Sequence, residues 1–69
     1  MKLKPEILEI LGEGEMNTAN VQDELGDRGY ARHYETVKGH LEEMEKGGDL
    51  AMRRGQFNIP FYWNPLLRA

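Results

Sequence analysis

The chain has 69 residues, 39% hydrophobic and 30% charged, a composition typical of one small folded domain rather than of a disordered segment. It contains no cysteine, which excludes disulfides and thiolate metal sites, and no apolar run approaches the roughly 20 residues of a membrane span. The net charge of −3 disfavours unspecific binding to nucleic acid. Because the N-terminus lacks the apolar stretch of a signal peptide, we expect a cytoplasmic protein.

The first predicted element is a helix that begins near Pro5 and ends at Gly12 and Gly14. Pro5 suits a first helical turn, because the N–H that proline lacks would be unpaired there. A short extended link over residues 16–17 follows, long enough for a strand of one or two residues. The apolar stripe of this helix consists of Ile7, Leu8, Ile10 and Leu11.

A second helix is predicted to follow at once, capped by the side chain of Asn17 or of Thr18. Gly26 is expected to end it, since glycine favours the conformation that stops a helix. The predicted buried side consists of Ala19, Val21 and Leu25.

The third helix is predicted to begin between Tyr30 and Arg32 and to end at Lys46, where Gly47 and Gly48 supply a left-handed stop. Apolar residues recur along it at intervals of four and three, which is the spacing of one helix face. We expect this face to be buried as a unit, and its members are Tyr30, Tyr34, Val37, Leu41 and Met44.

The remaining residues predict a β-hairpin. Residues 50–54 and 61–63 are strand-prone, and the intervening residues 55–58 are turn-like. Pro60 cannot donate to a ladder, so it is expected on an edge or at the start of its strand. Alternation predicts that Phe61 and Trp63 face the helices and that Tyr62 points outward. The apolar residues 65–67 are expected to pack back on the fold or to join a second subunit.

Residues 34–50 resemble the recognition helix and first wing strand of winged helix-turn-helix proteins. Residues 18–26 are similar to the positioning helix of that family, whose pattern in residues 34–50 is matched by Thr36, Val37, His40, Leu41, Met44, Glu45, Gly48 and Leu50. The resemblance covers residues 5–64. It implies an α+β fold in which a three-helix bundle precedes a β-hairpin wing, in one domain over residues 1–69 with a core over 5–64 and a tail over 65–69.

One spacing departs from that family, because eleven positions separate Gly26 from Val37. This distance along the chain is longer than the family pattern. It predicts either a longer turn between the second and third helices or an early extra turn at the start of the third helix.

The resemblance implies a transcriptional regulator that binds double-stranded DNA, with the third helix in the major groove and the wing on the backbone or in the minor groove. Arginines are favoured near phosphates and guanine edges, whereas threonine and lysine serve as phosphate ligands. Gly39 either removes a contact or lets a backbone come close. The expected DNA-binding residues are Arg28, Arg32, Glu35, Thr36, Lys38, Gly39, Arg53, Arg54 and Gln56.

Charge is unevenly distributed along the chain in a way that fits one nucleic-acid face. Residues 1–27 contain two lysines and seven acidic residues, whereas residues 51–69 contain three arginines and no acidic residue. A few phosphate contacts per subunit bind weakly, so we expect a homodimer.

The alternative is a winged-helix protein–protein interaction module that does not bind DNA and uses the acidic face of the first helix and the aromatic tail as contacts. We do not expect an enzyme or a cofactor, because the chain lacks both serine and cysteine, the common nucleophiles. His33 and His40 would lie about 10.5 Å apart along a helix, too far to share one metal ion.

Overall fold

A computed structural model describes residues 3–66. Within this range three α-helices pack against a three-stranded antiparallel sheet, so the fold is a small α+β domain. The last part of the predicted tail, residues 67–69, lies outside the described residues. The helices are α1 (Leu3–Gly12), α2 (Thr18–Asp27) and α3 (Tyr34–Lys46), and the strands are β1 (Met16–Asn17), β2 (Ala51–Arg54) and β3 (Pro60–Trp63).

The sheet has the order β1-β3-β2, so the last strand of the chain is its central strand. Tyr62 of β3 pairs with Met16 of β1 on one side and with Met52 of β2 on the other. Pro60 is the first residue of β3 and pairs only with Arg54 of β2. Strand β1 pairs with Phe61 and Tyr62 but not with Pro60, so the missing N–H of Pro60 leaves no gap in the β1–β3 ladder. This agrees with the position predicted for Pro60, at the start of its strand.

The hydrophobic core lies between the helices and the inner face of the sheet. The apolar periodicity of the sequence correctly predicts the core residues contributed by α1 and most of those contributed by α3. Burial of these side chains is the main source of the stability of the fold. The buried apolar side chains are Leu3, Ile7, Ile10, Leu11, Val21, Leu25, Val37, Leu41, Met44, Leu50 and Tyr62.

Helix α2 is capped as predicted at its start but not at its end. The Asn17 side-chain oxygen accepts a hydrogen bond from the backbone N–H of Asn20 at 2.8 Å. Gly26 does not end the helix, which continues to Asp27. The stop is Gly29, whose φ of 87° is favourable only for glycine and lets Tyr30 N–H reach the Leu25 carbonyl at 2.8 Å.

The predicted buried side of α2 is wrong at one position. Val21 and Leu25 are buried, but Ala19 is exposed and the neighbouring Thr18 is buried instead. Thr18, the first residue of α2, lines a groove together with residues of α3 and the last two strands, which accounts for its burial.

Helix α3 begins at Tyr34, later than predicted. The long spacing between Gly26 and Val37 is therefore due to a longer turn between α2 and α3 and not to an extra turn of helix. Val37, Leu41 and Met44 are buried as predicted, whereas Tyr34 is 45% exposed. Tyr30 precedes the helix and packs partly against the core. The predicted five-residue buried face is therefore wrong at Tyr34, which begins the helix. The predicted stop is correct, with a φ of 89° at Gly48.

The predicted facing of β3 is reversed. Tyr62 is buried, while Phe61 and Trp63 are only partly buried. Side chains do alternate between the two faces of β3, but the neighbouring strands decide which residues face the core. Tyr62 faces the core because it pairs with Met16 and Met52, which pack against it.

The end of β3 is fastened to α1 by a buried amide. Asn64 donates a hydrogen bond from Nδ2 to the Leu8 carbonyl at 3.2 Å, and its Oδ1 accepts one from the Leu66 N–H at 3.0 Å. Leu66 itself is 87% exposed, so this residue of the predicted tail does not pack back on the fold.

Candidate nucleic-acid interface

A groove of about 600 Å³ lies between α3 and the β2–β3 hairpin. On the helix side it is lined by Tyr34 and Lys38 from the first half of α3 and by Glu42, Glu45 and Lys46 from the second half. These positions recur at intervals of about one or two helical turns, which is why one side of α3 presents them all to the hairpin. The groove therefore runs along the length of the helix.

On the sheet side the groove is lined by alternate residues of the hairpin. Met52 and Arg54 of β2 and Pro60 and Tyr62 of β3 share this face, since side chains on a strand point alternately to its two sides. Arg54 is exposed and donates from Nη1 to the carbonyl of Asn58 at 3.2 Å, which holds its guanidinium at the turn end of the hairpin.

Burial raises the pKa of Tyr62 above that of an ordinary tyrosine, and the charges of Glu42 and Glu45 add to this effect. The positive charge of Arg54 acts in the opposite direction, and the proximity of Tyr34 raises the pKa slightly further. The groove thus holds a phenol that stays neutral at physiological pH beside five charged side chains, those of Lys38, Glu42, Glu45, Lys46 and Arg54.

The predicted DNA contact Arg28 lies among carboxylates of α1. Its guanidinium donates to Glu9 at close range and to Glu6 at 3.4 Å and Glu13 at 3.5 Å. The hydrogen bond with Glu9 is the largest influence raising the pKa of Arg28 above its ordinary value, although desolvation lowers it. Arg28 does not line the groove beside α3.

Arg53 is also engaged outside the groove. It forms two hydrogen bonds with the carboxylate of Glu15, at 2.8 Å from Nε and 2.7 Å from Nη2. These bonds are the largest cause of the raised pKa of Arg53. Because Arg53 and Arg54 are neighbours on a strand, their side chains point to opposite faces, and Arg54 is the one at the groove.

Apart from Arg32, which lies in the turn before α3, the lysines and arginines of residues 3–66 divide into two groups by their surroundings. Arg28, Arg53 and Lys4 each form an ion pair with a carboxylate, the last with Asp49 at 2.8 Å. By contrast, the three cations that line the groove are all exposed and, within residues 3–66, form no ion pair: Lys38, Lys46 and Arg54.

The other predicted residues of α3 lie near its start. Glu35, Thr36 and Gly39 are exposed, and a Cβ added at Gly39 would meet nothing within 4 Å. Arg32 lies in the turn before the helix, where it donates from Nη1 to the Ala31 carbonyl at 2.8 Å and accepts at its own carbonyl from Gln22 at 3.0 Å. Arg32 and Thr36 line a separate small depression.

The two strands of the hairpin are joined by a turn over Gln56–Asn58, and all three of its residues are exposed. Gln56, predicted as a DNA contact, therefore lies at the tip of the hairpin. Phe57 beside it is 84% exposed, which is unusual for a large apolar side chain.

Sequence reasoning also missed Lys46 as part of the groove. Its position four residues after Glu42, on the same side of α3 as Lys38, was available as a periodic signal. The sequence alone does not show that Lys46 lies at a groove, because the position of the hairpin relative to α3 is set by tertiary packing.

Among residues 3–66 no cluster of three or more acidic or histidine side chains is arranged to hold a metal ion. In the same range no helix combines the length and the apolar character that crossing a bilayer requires. No protein-family model, no curated protein and no solved structure matches the chain.

Proposed function

We propose that this chain is a winged helix-turn-helix domain that binds double-stranded DNA and acts as a transcriptional regulator. The element order and the sheet order β1-β3-β2 are compatible with a winged-helix layout, in which α3 is the recognition helix and the β2–β3 hairpin is the wing. In this proposal α3 enters the major groove by its N-terminal half, and the wing lies along the adjacent backbone or minor groove.

The observation that carries the proposal is the segregation of the cations. Lys38, Lys46 and Arg54 line one groove and form no ion pair within residues 3–66, whereas Arg28 and Arg53 are neutralised elsewhere by carboxylates. A cation already paired with a carboxylate contributes less to phosphate binding, because the carboxylate repels the phosphate and the existing ion pair must be broken. The proposed phosphate ligands are therefore Lys38 and Arg54, with Lys46 as an addition, and not Arg28 or Arg53.

Base contacts are proposed for the exposed start of α3. Glu35 can accept from a cytosine amino group, and Thr36 can donate to phosphate or base edges. The open surface at Gly39 allows a close approach of the DNA backbone to the helix. Two or three phosphate contacts per subunit give weak binding, so useful specificity needs a homodimer, as proposed from the sequence.

The test is a titration of a fluorescein-labelled duplex of mixed sequence, followed by anisotropy at about 50 and 200 mM salt. We expect binding that weakens steeply as salt rises. Arg54→Ala should weaken binding and lower the slope of log K against log salt by about 0.9, the share of one phosphate.

The matched control is Arg53→Ala, which removes the same charge from the neighbouring position of the same strand. It should leave the affinity close to that of the wild type, because Arg53 is paired with Glu15. If a correctly folded wild-type sample does not bind duplex at low salt, the DNA-binding function is wrong. Equal losses from both variants would show that only overall charge matters.

A second candidate is a protein-interaction module, favoured by the exposed acidic residues of α3. Glu35, Glu42 and Glu43 are exposed on this helix, and they would be repelled by phosphates if the whole helix entered the major groove. An absence of duplex binding at low salt favours this candidate, in which the acidic face would contact a basic partner.

A further inference from the structure

Phe57 occupies the tip of the hairpin in a backbone conformation that phenylalanine rarely adopts. Its φ is 59° and that of Asn58 is 61°, two consecutive left-handed residues as in type I′ hairpin turns. Such positions strongly favour glycine, asparagine and aspartate, and a bulky side chain there is an outlier. Phe57 is nevertheless 84% exposed, so burial in the core does not compensate for this conformation.

The turn that carries Phe57 is held by backbone hydrogen bonds on both sides. Gly55 N–H donates to the Ile59 carbonyl at 2.8 Å, Asn58 N–H to the Gly55 carbonyl at 3.1 Å, and Ile59 N–H to the Gln56 carbonyl at 3.3 Å. The aromatic ring therefore stands on a braced turn rather than on a loose loop, and inserting it into a partner costs little additional ordering.

The surroundings of Phe57 favour a nucleic acid over an apolar protein surface. The flanking Gln56 and Asn58 are polar and exposed, Arg54 is hydrogen-bonded to the Asn58 carbonyl, and residues 51–66 contain no acidic side chain. A stable protein interface needs a wide apolar centre, which Phe57 and the 40% exposed Ile59, set among polar side chains, do not provide. A narrow, negatively charged groove matches both the ring and the cation beside it.

We propose that Phe57 is a wedge that enters the minor groove of bound duplex DNA and partly unstacks one base step. Apolar wedges of this kind kink the duplex toward the major groove, which is where α3 would bind. The inference rests on the proposed DNA-binding function and adds to it a residue that reads the deformability of the DNA rather than its base edges.

The test compares wild type with Phe57→Asn and Phe57→Leu on a duplex of about 20 base pairs that carries a donor and an acceptor dye at its ends and 2-aminopurine at a central TA step. Asparagine keeps the left-handed turn and removes the wedge, whereas leucine keeps an apolar wedge. Wild type should raise the energy transfer and the 2-aminopurine emission. Phe57→Asn should bind about tenfold more weakly and change neither signal, and Phe57→Leu should retain part of both.

The outcomes separate the wedge from the DNA-binding function itself. If Phe57→Asn binds and bends the duplex as the wild type does, the wedge is wrong while DNA binding stands. If the wild type does not bind duplex at all, both proposals fail. If Phe57→Asn converts a dimer to a monomer in sedimentation and leaves the DNA signals unchanged, the ring is a protein contact and the wedge is again wrong.

Discussion

Arg53 reaches from β2 to Glu15, so one guanidinium connects the two edges of the sheet. Its two hydrogen bonds to the Glu15 carboxylate measure 2.8 and 2.7 Å, and its central carbon lies 5.0 Å from the centre of the Phe61 ring in the strand between. Glu15 directly precedes β1, and Phe61 pairs with both Arg53 and Asn17. The pair therefore ties the connection after α1 to the hairpin across the central strand.

This ion pair should show a favourable coupling that weakens with salt. In a double-mutant cycle of Glu15→Ala and Arg53→Ala, followed by urea unfolding, the coupling should be present at low salt and should shrink at about 1 M NaCl, where charges are strongly screened. A second cycle with Arg54→Ala is the control and should show no coupling with Glu15, because Arg54 faces the groove. A coupling that is the same for both arginines would contradict the assigned pairing.

The cap of α2 gives a second prediction. Asn17→Ala should lower the free energy of unfolding by about 1 kcal/mol, because the Asn20 N–H loses its acceptor. Asn17→Asp retains a side-chain oxygen and should unfold close to the wild type, apart from the effect of its charge. Equal stability of the alanine and aspartate variants in urea unfolding would mean that the cap contributes nothing.

Gly39 provides a test of stability and of DNA contact together. A Cβ at this exposed helical position meets nothing within 4 Å, so Gly39→Ala should stabilise the fold by about 1 kcal/mol. The sequence left open whether Gly39 merely lacks a contact or admits a close backbone. In a duplex titration the first alternative predicts unchanged affinity for Gly39→Ala, and the second predicts a loss of affinity in a protein that unfolds later in urea.

The buried Tyr62 should make the fold less stable in alkaline solution. Its pKa in the fold is raised, first by burial and then by Glu42 and Glu45, so the unfolded chain loses the phenolic proton at lower pH than the folded one. This contribution is fully present below about pH 10, the ordinary tyrosine value, and is lost as pH rises through the folded pKa. Urea midpoints measured from about pH 8 to 11 should therefore fall more for wild type than for Tyr62→Phe. Parallel curves for the two proteins would remove Tyr62 as the cause.

Local periodicity and capping chemistry account for what the sequence predicted well. The burial of Val37, Leu41 and Met44 follows from apolar residues at intervals of four and three within one helix. The cap at Asn17 follows from the tendency of asparagine side chains to accept a hydrogen bond from a backbone N–H of the first helical turn. Pro60 at the start of β3 likewise follows from a missing donor. In each case the relevant partners lie within a few residues along the chain.

The wrong facing of β3 depends on partners that lie far apart in sequence, whereas the wrong end of α2 was a local choice between Gly26 and Gly29. The inward facing of Tyr62 is decided by the register with Met16 and Met52, which alternation along β3 cannot reveal. The ion pairs of Arg28 and Arg53, whose DNA contacts stay a prediction, likewise join residues 19 and 38 positions apart. Composition shows that residues 51–69 are basic, but only tertiary structure shows which cations of the chain are already paired with carboxylates.

The position of β3 at the centre of the sheet makes the order of synthesis matter. Within residues 3–66, strands β1 and β2 each pair with β3 and with no other strand, so neither has a neighbour until residues 60–63 have emerged from the ribosome. The Asn64 bond to Leu8 spans 56 positions and has the same requirement. A nascent chain halted before Pro60 would leave the hydrophobic surface that the sheet normally covers exposed to solvent. Chaperones retain and proteases degrade fragments of this kind.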